Sequence, residues 1–153
     1  MAHTWWTTII TNQEEYYNIF WKIKKTAKSI LWLYLVFFIA FFIMLLSYVF
    51  IMVPIISNPE EASLKSSVLI GIALIAISSL LLMGIGIAIF VLEIMLTVRV
   101  SGAEGKHPEF RNTSTHTVLL IIGIILFWPC VVIDCFILNS KCNRVLENST
   151  YLA

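Results

Sequence analysis

The sequence predicts an all-α integral membrane protein with three transmembrane helices. Three observations lead there. Of 153 residues, 59 % are hydrophobic and only 12 % charged, whereas soluble domains carry about a quarter charged residues. A water-soluble fold of this size cannot hide that much apolar side chain, because small domains leave much of their surface exposed. The apolar residues are gathered into three runs, 29–53, 67–98 and 117–138. Each reaches the roughly 20 residues that cross a hydrocarbon core about 30 Å thick. Backbone groups in that core have no water to bond, so the runs are expected as helices.

Residues 1–28 come first. Thr11 and Glu14 fit a capping box at a helix start. Tyr16, Phe20, Ile23 and Ala27 then recur at helical spacing, with Lys22 and Lys25 off that stripe. Trp5, Trp6, Tyr17 and Trp21 favour the headgroup zone. The expected element is an N-terminal amphipathic interfacial helix on the cytoplasmic leaflet. The plainer alternative is an extension of the first span. That span, 29–53, is too long for a signal-peptide core and reads as an uncleaved signal anchor.

The first span is rich in aromatics and has no glycine, whereas the second is rich in small residues. Small residues let membrane helices approach closely. Ala76, Ser79, Gly84, Gly86 and Ala88 are therefore the expected packing face of the second span. Gly123 and Cys130 of the third form a comparable stripe with Phe127 and Asp134, extended at its ends by His116 and Lys141. Pro129 is expected to disturb that helix by freeing the carbonyl of Ile125.

Orientation follows the basic residues. Lys22, Lys24, Lys25 and Lys28 precede the first span, and Arg99, Lys106 and Arg111 lie between the second and third. The other side receives Lys65, Lys141 and Arg144. Seven against three places the N-terminus in the cytoplasm and the tail, residues 139–153, outside.

Glu93 and Asp134 interrupt the apolar runs and are the candidate intramembrane polar residues. Glu93 is expected at the inner interface near Arg99, Lys28 or Arg111. Asp134 is expected roughly 6 Å inside the outer boundary, with Lys65 or Lys141 as counter-charge. On that topology the two lie near opposite faces and cannot act as an acid–base pair. His107 and His116 read as part of a solvated inner loop, since their spacing fits no zinc motif.

Cys130, Cys135 and Cys142 form no disulfide framework, although a Cys135–Cys142 bridge is conceivable in an oxidising compartment. Asn112 and Asn148 match the glycosylation pattern, of which only the second falls on the outer side. A formal charge of +1 offers no basic surplus for nucleic acid. No cofactor motif is present, and the loops are too short for a catalytic domain, so no enzyme is expected. The expected partners are the lipid bilayer and another membrane protein, or a second copy of this chain. The expected role is an accessory or interaction subunit acting through helix packing. The alternative is a homo-oligomeric transport or channel subunit using Asp134 or Glu93.

Overall fold

The computed structural model describes residues 2–57, 66–125 and 128–150, and all regular structure among them is helical. The chain runs through α1 (Ala2–Ser57), α2 (Ser66–Gly102), a 3-10 turn (Pro108–Phe110), α3 (Ser114–Ile125) and α4 (Trp128–Thr150). Two stretches are long and apolar enough to cross a membrane, Glu14–Ser57 in α1 and Val68–Gly102 in α2. The first loop, including Lys65, lies outside the described residues. The chain divides into two compact units: Trp32–Ile89, and the flanking parts Met1–Leu31 with Phe90–Ala153.

In the unit Trp32–Ile89, α1 buries Ala40 and Ser47, and α2 buries Val68, Gly71, Ser78 and Ile89. Half-buried Met44 and Ile51 extend the stripe on α1, as do Ile75, Leu82 and Ile85 on α2. Steps of three and four residues make a seam close to the 3.5-residue repeat of left-handed helix packing. At Gly71 the helices come close. An added Cβ would stand 2.6 Å from Ile51 Cγ1 and 3.1 Å from the Ser47 carbonyl oxygen. The buried Ser47 hydroxyl donates to the Ile43 carbonyl at 2.8 Å, which satisfies it within its own helix. The small-residue face expected from sequence is not this seam. Ala76, Ser79 and Gly84 are exposed, Gly86 and Ala88 half-buried, and nothing lies within 4 Å of a Cβ built on Gly84 or Gly86.

The second unit begins with α1, which runs without interruption past residue 28 into the first apolar run. A separate interfacial helix is therefore not formed; the plainer alternative, a helical extension, holds. The stripe Phe20, Ile23 and Ala27, continued by Ile30, is completely buried, because the chain following α2 covers it. Phe20 packs on Phe110 at 5.0 Å and on Tyr16 at 4.8 Å between ring centroids, with His107 at 6.1 Å. Thr26 Oγ1 donates to the Lys22 carbonyl and accepts from Arg99 Nη1, which also reaches the Lys22 carbonyl at 3.3 Å. Arg99 is thus spent on α1. Gly105, at φ +73°, lets the chain reverse after α2, and its N–H closes onto the Phe110 carbonyl at 3.0 Å; a side chain there would be strained.

The third apolar run departs most from expectation. One helix over 117–138 would set His116 and Asp134 about 27 Å apart. Their side chains instead meet at 2.5 Å. α3 ends at Ile125, α4 starts at Trp128, and the two lie side by side. As residues rise along α3 their partners fall along α4, from His116 with Asp134 to Gly123 with Val131, so the pair is antiparallel. The third continuous span is corrected to a helical hairpin. The reason is local. Pro129 falls in the first turn of α4, where its missing N–H costs nothing, and Gly123 lets α3 approach the Val131 backbone. A Cβ on Gly123 would stand 3.0 Å from Val131 N and closer still to its side chain.

Candidate functional site

The hairpin gathers the polar residues of the third run into one chain of contacts. Asp134 is fully buried and His116 is 6 % exposed. His116 Nδ1 lies 2.5 Å from Asp134 Oδ1, and His116 Nε2 lies 2.9 Å from Lys141 Nζ. A lysine ammonium has donors only, so Nε2 must accept. Nδ1 then carries the imidazole proton and donates it to the carboxylate. Lys141 also donates to the Glu109 carbonyl at 3.3 Å. The order is therefore a buried carboxylate, a buried imidazole and a half-buried ammonium tied to the loop ahead of α3.

Helix periodicity puts these groups together. Asp134 and Lys141 are seven residues apart on α4, two turns along one face. His116 is in the first turn of α3, so the antiparallel hairpin sets it opposite that face. Lys141 was expected as a counter-charge to Asp134, and it serves that carboxylate through His116. The sequence placed His116 and Lys141 at opposite ends of one stripe, and the reversal makes them neighbours. His116 is consequently buried rather than part of a solvated loop. Asp134 Oδ2 and Asn139 Oδ1 are buried without a hydrogen-bond partner among the described residues.

Glu93 is also buried, at 3 % exposure, in the same unit as Asp134. Both carboxylates lie within electrostatic reach of the Cys135 thiol. The expected separation to opposite faces is thereby corrected: the hairpin returns α4 toward the end of α2 that carries Glu93. Gly123 is buried at the hairpin contact, whereas Cys130 is half-buried. The three cysteines are free. Cys135 and Cys142 are two turns apart on one helix, roughly 10 Å along its axis, too far for a bridge. Burial pushes the Cys142 thiol up to about 12, against the opposing influence of Lys24.

An open recess of about 680 Å³ adjoins the Lys141 end of this chain, lined by Pro108, Glu109, Arg111, Asn112 and Lys141. Asn112 Oδ1 accepts from the Ser114 N–H at 3.2 Å. The Glu109 carboxylate faces Arg144 at 3.9 Å. No cluster of three metal-ligating side chains occurs among the described residues.

Residues 67–138 match the model of a family described as M penetrans paralogue family 26. That stretch takes in α2, the 3-10 turn, α3 and the apolar part of α4, and leaves out α1. No curated protein and no solved structure matches the chain.

Proposed function

We propose that this chain is a multi-pass membrane protein that works as an accessory or interaction subunit, by helix association within the bilayer. The observation that carries the reading is the apolar surface left uncovered in the unit Trp32–Ile89. Phe42 is 65 % exposed, Leu80 69 %, and Leu46, Val49, Leu69 and Met83 are all more than half exposed. Soluble monomers do not leave contiguous patches of that kind in water. Lipid, or another apolar helix, is the surrounding that removes the cost. The exposed small residues Ala76, Ser79 and Gly84 leave room for a second helix backbone.

In this reading α1 and α2 cross the bilayer and the α3–α4 hairpin does not. α3 has 12 residues, about 18 Å of helix, and the apolar start of α4, 128–138, is no longer. Neither reaches across about 30 Å of hydrocarbon. The hairpin enters and leaves on one side, which puts both termini in the cytoplasm. Charge supports this arrangement. With Lys141 and Arg144 returned to the inner side, nine of the ten Lys and Arg lie there and only Lys65 outside; this is a stronger bias than three crossings allow. The topology is tested with single cysteines introduced at Lys25 and Arg144 and an impermeant maleimide. Both should label from the cytoplasmic side; labelling from opposite sides restores three crossings.

The association role is tested by cross-linking the full chain in its own membrane, followed by purification in mild detergent. The expected result is a discrete cross-linked species that Ala76→Leu with Gly84→Leu removes while the chain still inserts. A chain that stays monomeric at every cross-linker concentration refutes the role. One observation favours a second reading, a transport subunit: the Asp134–His116–Lys141 chain links a fully buried carboxylate to an open recess. Asp134→Asn that keeps assembly but abolishes ion or proton flux in vesicles would select it.

A further inference from the structure

The recess beside Lys141 has a chemistry that helix association does not use. We infer that it holds the phosphate of an anionic phospholipid headgroup, with the acyl chains lying along the exposed apolar face of α4. The inference rests on the membrane placement proposed above.

The donors come first. Arg111 is exposed, and its guanidinium has no partner among the described residues. Lys141 spends one donor on His116 Nε2 and one on the Glu109 carbonyl, which leaves its third N–H for the recess. Asn112 uses its oxygen on the Ser114 N–H, so its amide N–H groups remain available. Two cations and an amide thus line one recess. The Glu109 carboxylate opposes an anion there, but Arg144 stands 3.9 Å from it. A guanidinium and an ammonium lining one recess suit a phosphate monoanion.

The position of Lys141 is built rather than incidental. Lysine ammonium groups on a surface are mobile, and fixing one costs side-chain entropy. Here the buried Asp134 and His116 hold it from behind, so the site does not order Lys141 again when a ligand arrives. The apolar half follows from helix geometry. Ile133 and Ile137, 58 % and 39 % exposed, precede Lys141 at steps of four on the same face of α4. They form an apolar track about 12 Å long leading away from the ammonium. Basic recesses at the cytoplasmic end of membrane helices meet a leaflet rich in anionic lipid.

The test uses the full chain in mild detergent, exchanged into nanodiscs of phosphatidylcholine with or without phosphatidylglycerol. Retained lipid is counted by native mass spectrometry after re-extraction. Phosphatidylglycerol should be retained preferentially, and Arg111→Gln should reduce the preference about two- to fivefold. Lys141→Met should do the same. Because that variant also disturbs the hairpin, the exposed Arg111→Gln carries the decision. Lys106→Gln, a basic residue outside the recess, should leave the preference unchanged. Equal retention of the two lipids, or a preference that Arg111→Gln leaves intact, overturns the inference without touching the membrane reading. Inorganic phosphate that displaces phosphatidylglycerol at equal concentration assigns the recess to a free anion and overturns the lipid. A chain that stays soluble after detergent removal and retains neither lipid overturns the membrane reading as well.

Discussion

Replacing Gly123 by alanine distinguishes the hairpin from a straight third span by sign. In a lone helix the substitution is favourable, because alanine exceeds glycine in helix propensity by about 0.8–1.0 kcal/mol. In the hairpin the new methyl carbon would stand 3.0 Å from the backbone N of Val131 and nearer to its side chain. Val131 is β-branched and strongly restricted at χ1 in a helix, so it cannot swing aside. The backbone contact yields only if α3 and α4 separate. Overpacking of this kind costs about 1–3 kcal/mol, and a backbone obstacle belongs to the upper part of that range. Subtracting the propensity gain leaves a net loss of about 1–2 kcal/mol. Gly86→Ala is the control, since nothing lies within 4 Å of the new atom and only the propensity gain remains. The assay is unfolding by increasing dodecyl sulfate in mixed micelles, followed by tryptophan fluorescence. Gly86→Ala should raise the midpoint and Gly123→Ala lower it, with Gly123→Leu lower still. If Gly123→Ala raises stability as Gly86→Ala does, the close approach of α3 and α4 does not exist.

Other substitutions follow from the same contacts. His116→Ala leaves the buried Asp134 carboxylate with neither oxygen paired and should cost about 3–5 kcal/mol in the same unfolding assay; adding Asp134→Leu should recover part of it, and a strictly additive double variant contradicts a shared pair. Thr26→Val removes the acceptor used by Arg99 and should cost about 1 kcal/mol, with a smaller loss, from the bond to the Lys22 carbonyl alone, when Arg99→Gln is already present. Cys142, with its thiol at about 12, is ionised in roughly one molecule in ten thousand at pH 8. Its reaction with a soluble maleimide should therefore be far slower than that of a free thiol and rise about tenfold per pH unit toward 12; a rate at pH 8 matching a small-molecule thiol would show that it is not buried.

The two long helices are legible because hydropathy reads the length and apolar content of a helix directly, and runs 29–53 and 67–98 lie within α1 and α2. The third run misleads for the same reason. A hairpin of two half-length apolar helices has the hydropathy of one full-length helix, and nothing in a windowed average marks a reversal. The signals were present but of another kind. Pro129 stands mid-run, Gly123 stands ahead of it, and the proposed return of the tail to the inner side would change the charge count from seven against three to nine against one. Asp134, His116 and Lys141 were visible as a polar stripe, while their convergence was not, because it depends on the reversal. The seam between α1 and α2 is hidden in the sequence for a different reason. Nearly every position there is apolar, so the seam through Val68, Gly71, Ser78 and Ile89 has no polar contrast to reveal it, and small size was a weaker guide than the repeat.

Under the placement proposed above, the polar triad suits the energetics of a hairpin that enters the bilayer partway. A buried aspartate at the centre of a spanning helix costs about 2.5–3.5 kcal/mol to insert. Asp134 is instead four residues from Leu138, about 6 Å from the polar part of α4, and His116 is in the first turn of α3. Both therefore sit at the open end of the hairpin, where Lys141 brings positive charge from the recess. The Gly123–Val131 contact closes the other end without any polar group. As one continuous helix the third run would set Asp134 and His116 about 27 Å apart, and each would need its own partner. The reversal lets one imidazole serve the carboxylate and accept from the lysine at once, so the fold that shortens the hairpin also solves its charge problem.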